Sequence, residues 1–121
     1  MTESSCVLVC VTVQKECARL IKLGHMEAQR AHLPLHVVHV STGKTMLGNP
    51  DAAEALNYLF SLAHEVDAEM NILHNHDVLQ AISTYARENG AKTLIIGTDR
   101  SGFTKSLSML LPFCNVLTAP E

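Results

Sequence analysis

Two hydroxyls, a carboxylate and a guanidinium lie between two glycines in Gly97-Thr98-Asp99-Arg100-Ser101-Gly102, directly after the apolar run Thr93 to Ile96. A short β-branched run is a strand buried on both faces, so the polar segment is the hand-over from strand to helix. At the carboxyl end of a strand in a parallel α/β sheet, unpaired helix N–H groups and a guanidinium are suited to an anion. The same residues also fit an ordinary turn in which the glycines supply positive φ, and Asp99 and Arg100 fit mutual or solvent pairing. Other chemistry is weaker. Gly43-Lys44-Thr45 lacks the glycine a phosphate-binding loop needs at Val38 and has no helix directly after it, so Lys44 reads as a solvated charge. His74 and His76 share one side of an extended segment, yet no third metal ligand is identifiable and Asp77 is better used as a helix cap. No G-x-S-x-G elbow is present, the loop serines have no assignable base, and the acids of a phospho-acceptor site are missing. No catalytic residue and no metal ligand is assigned.

The composition limits the function classes. A chain of 121 residues fits a single domain, 1–121, and with 47% hydrophobic and 17% charged residues it is an ordered globular protein. The net charge of -3 and the absence of basic patches argue against nucleic acid as a partner. No apolar run approaches a membrane span, and Met1 to Ser5 lacks a signal-peptide pattern, so a cytoplasmic protein without a membrane partner is expected. Cys6, Cys10, Cys17 and Cys114 form no C-x-x-C pair, and reduced structural thiols are expected.

The elements that must position the loop follow from periodicity. Cys6 to Val13 is a central strand; Cys17, Leu20, Ile21, Gly24, Ala28 and Ala31 make one face of a helix from Lys15 to about Ala31. Gly24 is weak for a helix but allows close approach to a sheet. Pro34 ends the helix signal and Leu35 to Val40 follows as a strand. Asn49-Pro50-Asp51 starts a helix to about Val66, with Ala52, Leu56, Leu59, Phe60, Ala63 and Val66 as its buried stripe. Ala68 to Leu73 reads as a strand interrupted by Asn71. Asp77 caps a helix from Val78 to Asn89, with Gln80 in capping-box position and Gly90 as the stop. After the Thr93 to Ile96 strand come a short helix within Phe103 to Leu111 and a last strand, Phe113 to Thr118. This βαβαβαβαβ order predicts an α/β fold, a parallel sheet between two helical layers.

The stretches VLVCVTVQKECARLI, LHVVHVSTG and DVLQAISTYARENGAKTLIIGTDRSGF, with the final short strand, resemble the universal stress protein family over nearly the whole chain. The resemblance implies a single-domain, three-layer α/β/α fold with a five-stranded parallel sheet ordered 3-2-1-4-5, commonly dimeric. In some members ATP or a related nucleotide lies across the carboxyl ends of the first and fourth strands. ATP-binding members carry G-x2-G-x9-G-[ST] after the fourth strand. Here Gly97 matches the first glycine, Arg100 replaces the second, Gly102 fits only an Arg-Ser-Gly step, and the later Gly-Ser or Gly-Thr is missing. The usual acid after the first strand is Thr12. VCVTVQKECARLI is also similar to the stress-protein-like module of potassium-sensing histidine kinases, some of which bind cyclic di-AMP.

The expectation is a binding or regulatory module rather than an enzyme. An adenine nucleotide, whether AMP, ATP or a cyclic dinucleotide, would be held by Thr12, Val13, Val40, Gly97, Thr98, Arg100, Ser101 and Gly102. With half the phosphate cradle absent, ligands with fewer phosphates than ATP are favoured. The alternative is a ligand-free homodimeric interaction protein, and an ATP hydrolase is least favoured. Val7, Val9, Val11, Val38, Val40, Ile95 and Ile96 should be inaccessible. Phe113 to Thr118, last in the chain and followed by Pro120, is expected at a sheet edge, where pairing with a second copy gives a homodimer.

Overall fold

In a computed structural model the chain is described over residues 5–12, 15–41, 50–97 and 102–119, the side chains of residues 50 and 51 excepted. Five strands, β1 (Cys6–Cys10), β2 (Leu35–Ser41), β3 (Glu69–His74), β4 (Ala91–Ile96) and β5 (Asn115–Thr118), form one sheet in the order 3-2-1-4-5. Every pairing is parallel, with Val9 opposite Val37 on one side and Ile95 on the other. The helices are α1 (Ala18–Ala31), entered through a 3-10 turn at Lys15–Cys17, α2 (Pro50–Glu65), α3 (Val78–Asn89) and α4 (Phe103–Leu110).

The alternation of β1 sends its side chains to two separate cores. Val7, Val9 and Val11 pack with Leu20, Ile21 and Ala28 of α1 and Leu59 and Ala63 of α2. Cys6 and Leu8 pack with Ile82 and Ala86 of α3 and with Leu107 and Leu111. Each fully buried Leu or Ile in these layers contributes about 1.5–3 kcal/mol of transfer free energy. Gly24 is a packing residue, as its position on the α1 stripe predicts: a Cβ there would overlap Val9 Cγ2 and lie 3.0 Å from Leu35 Cδ1.

Several sequence expectations are corrected. β1 ends at Cys10 rather than Val13, although Val11 N–H still donates to Val38 O at 2.9 Å; Val13 itself lies outside the described residues. Val40 is half-buried, unlike Val7, Val9, Val11, Val38, Ile95 and Ile96, which are buried. Phe60 is exposed because the inner stripe of α2 runs through Ala55, Leu56, Leu59 and Ala63. One residue beyond Leu59 is a turn of about 100° around the helix, which carries Phe60 off the stripe. β4 starts two residues early, at Ala91, and β5 two residues late, at Asn115.

The chain reversals use left-handed residues. Gly90 closes α3 at φ 65, as its residue type suggests, while His32 closes α1 at φ 59 with its N–H directed to Ala28 O and Gln29 O. Nothing in the residue type of His32 signals that role, since glycine takes this conformation at lower cost. Asn71, which interrupts β3 in the sequence, is satisfied across the sheet face: Nδ2 donates to Tyr85 Oη and to Glu69 Oε2, both at 2.9 Å. Tyr85 Oη also lies 2.7 Å from His36 Nδ1.

Candidate functional site

Because all five strands are parallel, their carboxyl ends share one edge of the sheet. β1 hands over to α1 on one face and β4 to α4 on the other, which makes the carboxyl ends of β1 and β4 the topological switch point, the place where parallel α/β sheets have their ligand crevice.

Four of the sequence-predicted site residues stand along this edge. Thr12 is exposed just beyond β1, its Oγ1 3.4 Å from Cys17 Sγ in the turn that enters α1. Val40 is the penultimate residue of β2, opposite Leu73 of β3. Gly97 directly follows β4; among the described residues a Cβ there would meet Leu20 Cδ1 at 3.7 Å, an ordinary contact, so a side chain would not be excluded by that neighbour. Gly102 precedes α4 with φ 73, and among the described residues a Cβ there would meet nothing within 4 Å, so its requirement is conformational. Of the two glycines bracketing the loop, only Gly102 has positive φ. Val13, Thr98, Arg100 and Ser101 lie outside the described residues.

The starts of α1 and α4 are not closed by their own cap side chains. α4 begins on a glycine, which has no side chain to accept from its first N–H groups, and the Cys17 side chain makes no cap bond at α1. α3 starts differently. Asp77 Oδ1 accepts from Gln80 N–H at 3.1 Å, and Asp77 N–H donates to Asn75 Oδ1 at 2.9 Å. The capping box is therefore completed by Asn75 rather than by the Gln80 side chain, whose Oε1 accepts from Asn75 Nδ2 at 3.4 Å.

Sequence reasoning missed two polar side chains at this edge. Arg19, in the first turn of α1, sends Nη1 to the Ala119 carbonyl just past β5 at 3.2 Å. His39 of β2 places Nδ1 3.1 Å from the Val11 carbonyl. A charged residue between buried Ala18 and Leu20 was the available signal for Arg19. His39, off the face of its neighbours Val38 and Val40, offered only its parity.

Cys6, Cys10 and Cys114 are poorly suited to nucleophilic chemistry. Burial pushes the Cys6 thiol up to about 11, with smaller contributions from Cys114 and Glu69, and burial alone pushes Cys114 up to about 11. Burial raises Cys10 further still, with Cys114 adding to it. Among the described residues no group of three or more His, Cys, Asp or Glu is placed to hold a metal ion, and no helix is long and apolar enough to cross a membrane.

No family profile matches the chain. In sequence it is similar to Sensor protein KdpD of Mycobacterium tuberculosis, strains CDC 1551 / Oshkosh and H37Rv, at 33% identity over 94 residues. The match covers 78% of the chain, which spans about a tenth, 11%, of the length of those relatives. In structure it is similar to the universal stress protein from Archaeoglobus fulgidus in complex with dAMP, with a TM-score of 0.72 and 20% identity over 97% of this chain and 98% of that one. A universal stress protein in complex with cAMP also gives a TM-score of 0.72, at 14% identity over 98% of each chain. With its five parallel strands in the order 3-2-1-4-5 and helices on both faces, the chain has the fold of the universal stress proteins.

Proposed function

We propose that the chain is a cytosolic nucleotide-binding regulatory module, and not an enzyme, whose ligand is an adenine nucleotide with few phosphates. The observation that carries this reading is the divergence of β1 and β4 into helices on opposite faces, with α4 starting on a glycine that supplies no capping side chain. Backbone N–H groups at such a junction can donate to a phosphate or to sugar oxygens. Two structural neighbours whose ligands are dAMP and cAMP support the ligand class. The missing Gly-Ser or Gly-Thr and the Arg100 in place of the second glycine favour AMP or a cyclic dinucleotide over ATP. Thr12, Val13, Val40, Gly97, Thr98, Arg100, Ser101 and Gly102 are the residues proposed to hold it.

Titration calorimetry with ATP, AMP and cyclic di-AMP tests the reading. AMP or cyclic di-AMP is expected to bind more tightly than ATP; tight ATP binding would sink the motif argument, and no heat with any of the three removes the nucleotide.

The second reading, a homodimer through β5, is favoured by an apolar group around that strand. Phe113 and Leu117 are 50% and 40% exposed, and Met109 and Leu110 at the end of α4 are 74% and 44% exposed. β5 is an outer strand of the sheet, and pairing with a second copy would cover both its edge and these side chains. Sedimentation at micromolar concentration is expected to give the mass of two chains. A monomer there removes the dimer without touching the nucleotide reading.

A further inference from the structure

At the carboxyl edge β1 and β2 part company. Among the described residues the last backbone bond between them runs from Val11 N–H to Val38 O, at 2.9 Å, and the paired register ends at Cys10 opposite Val38. The next rung of a parallel ladder would run from Val40 N–H to the Val11 carbonyl. That carbonyl is taken by the His39 imidazole instead, with Nδ1 at 3.1 Å. A carbonyl oxygen only accepts, so Nδ1 carries the proton and donates.

Backbone groups two residues apart in a strand point to the same side. The Val40 N–H therefore faces the β1 side, as the Val38 carbonyl does. Its ladder acceptor on β1, the Val11 carbonyl, is engaged by His39, and Thr12 just beyond it is exposed, with Oγ1 3.4 Å from Cys17 Sγ. We propose that His39 is a positioning residue of the crevice: its imidazole stands in for the last rung, keeps β1 and β2 from zipping further, and leaves the Val40 amide as a donor facing the crevice. A ligand that presents a hydrogen-bond acceptor at this fork, as the ring nitrogens of a purine do, would complete that amide. The assignment rests on the nucleotide reading for the identity of the ligand, and on the strand geometry for the rest.

Amide hydrogen exchange followed by NMR, with AMP as the probe, tests it. In the free wild-type chain the Val40 amide is expected to exchange at least about tenfold faster than the Val38 amide. In His39→Leu the Val11 carbonyl is vacated, the ladder gains its rung, the Val40 amide becomes protected, and AMP binds about tenfold more weakly. His39→Gln, polar but with its donor one carbon further out, should follow His39→Leu. His39→Asn, whose Nδ2 can stand where the imidazole Nδ1 stands, should keep both wild-type properties. A Val40 amide already protected in the free wild type overturns the proposal, as does one whose exchange is the same in a folded His39→Leu or His39→Gln chain. The expected exchange pattern without AMP binding removes the nucleotide reading and leaves the positioning role standing. AMP bound equally by all four chains overturns the effect on the ligand.

Discussion

α3 and α4 lie on the same face of the sheet and are held in opposite ways. α3 carries its own boundaries: Asp77 accepts from Gln80 N–H at one end, and left-handed Gly90 closes the other. It buries Ala81, Ile82, Ser83 and Ala86. α4 has eight residues, begins on Gly102 and buries one residue of its own, Leu107. A helix start closed by its own side chain carries part of its stability locally; a start on glycine lacks that side-chain cap and draws more on packing. The comparison thus separates a helix with a side-chain cap at its start from one without.

The largest expected effect tests the anchor. Leu107→Ala should lower stability by about 3 kcal/mol in urea unfolding, as a buried leucine cavity does, and amide exchange should accelerate in α4 before α3. Equal acceleration in both helices would erase the contrast. Next, Gly102→Ala places a Cβ in the left-handed region and should cost about 1–2 kcal/mol, with Gly90→Ala costing a similar amount by the same route. The contrast sharpens if Gly102→Ala also changes AMP affinity in calorimetry and Gly90→Ala does not. Asp77→Ala should cost about 1 kcal/mol of thermal stability through the lost cap and leave nucleotide affinity unchanged. A change in AMP binding there would break the division of labour. The smallest effect concerns the exposed bond between Thr104 Oγ1 and Thr118 Oγ1, 3.1 Å long, which ties α4 to β5. Thr104→Val should cost no more than about 0.5 kcal/mol by urea unfolding.

The legibility of the sequence follows the same division. The bounds of α3, Val78 to Asn89, are readable to the residue because start and stop are written in local residue types, Asp77 and Gly90. The buried character of β1 and β4 is readable because both faces of those strands meet helices, which leaves near-continuous apolar runs. The end of β1 is not readable. Val11, Thr12 and Val13 continue the β pattern, while the side-chain bond to the Val11 carbonyl comes from a residue far along the chain, His39. Asn71 interrupts β3 for the same reason, its partner Tyr85 being on α3. Of the candidate site, the glycines and Thr12 stand out by type and place, whereas Arg19 and His39 act through bonds to carbonyls that no local pattern announces.

The missing Cβ of Gly24 has a mechanical consequence. It lets α1 rest its backbone against Val9 and Leu35, at a point six residues, or about 9 Å, along the helix from Ala18. A helix pinned in its middle to the central strand cannot swing its first turn without prising that contact apart. The α1 wall of the crevice is a fixed jaw. Any ligand at the carboxyl end of β1 must therefore fit against an α1 whose place is set by the sheet.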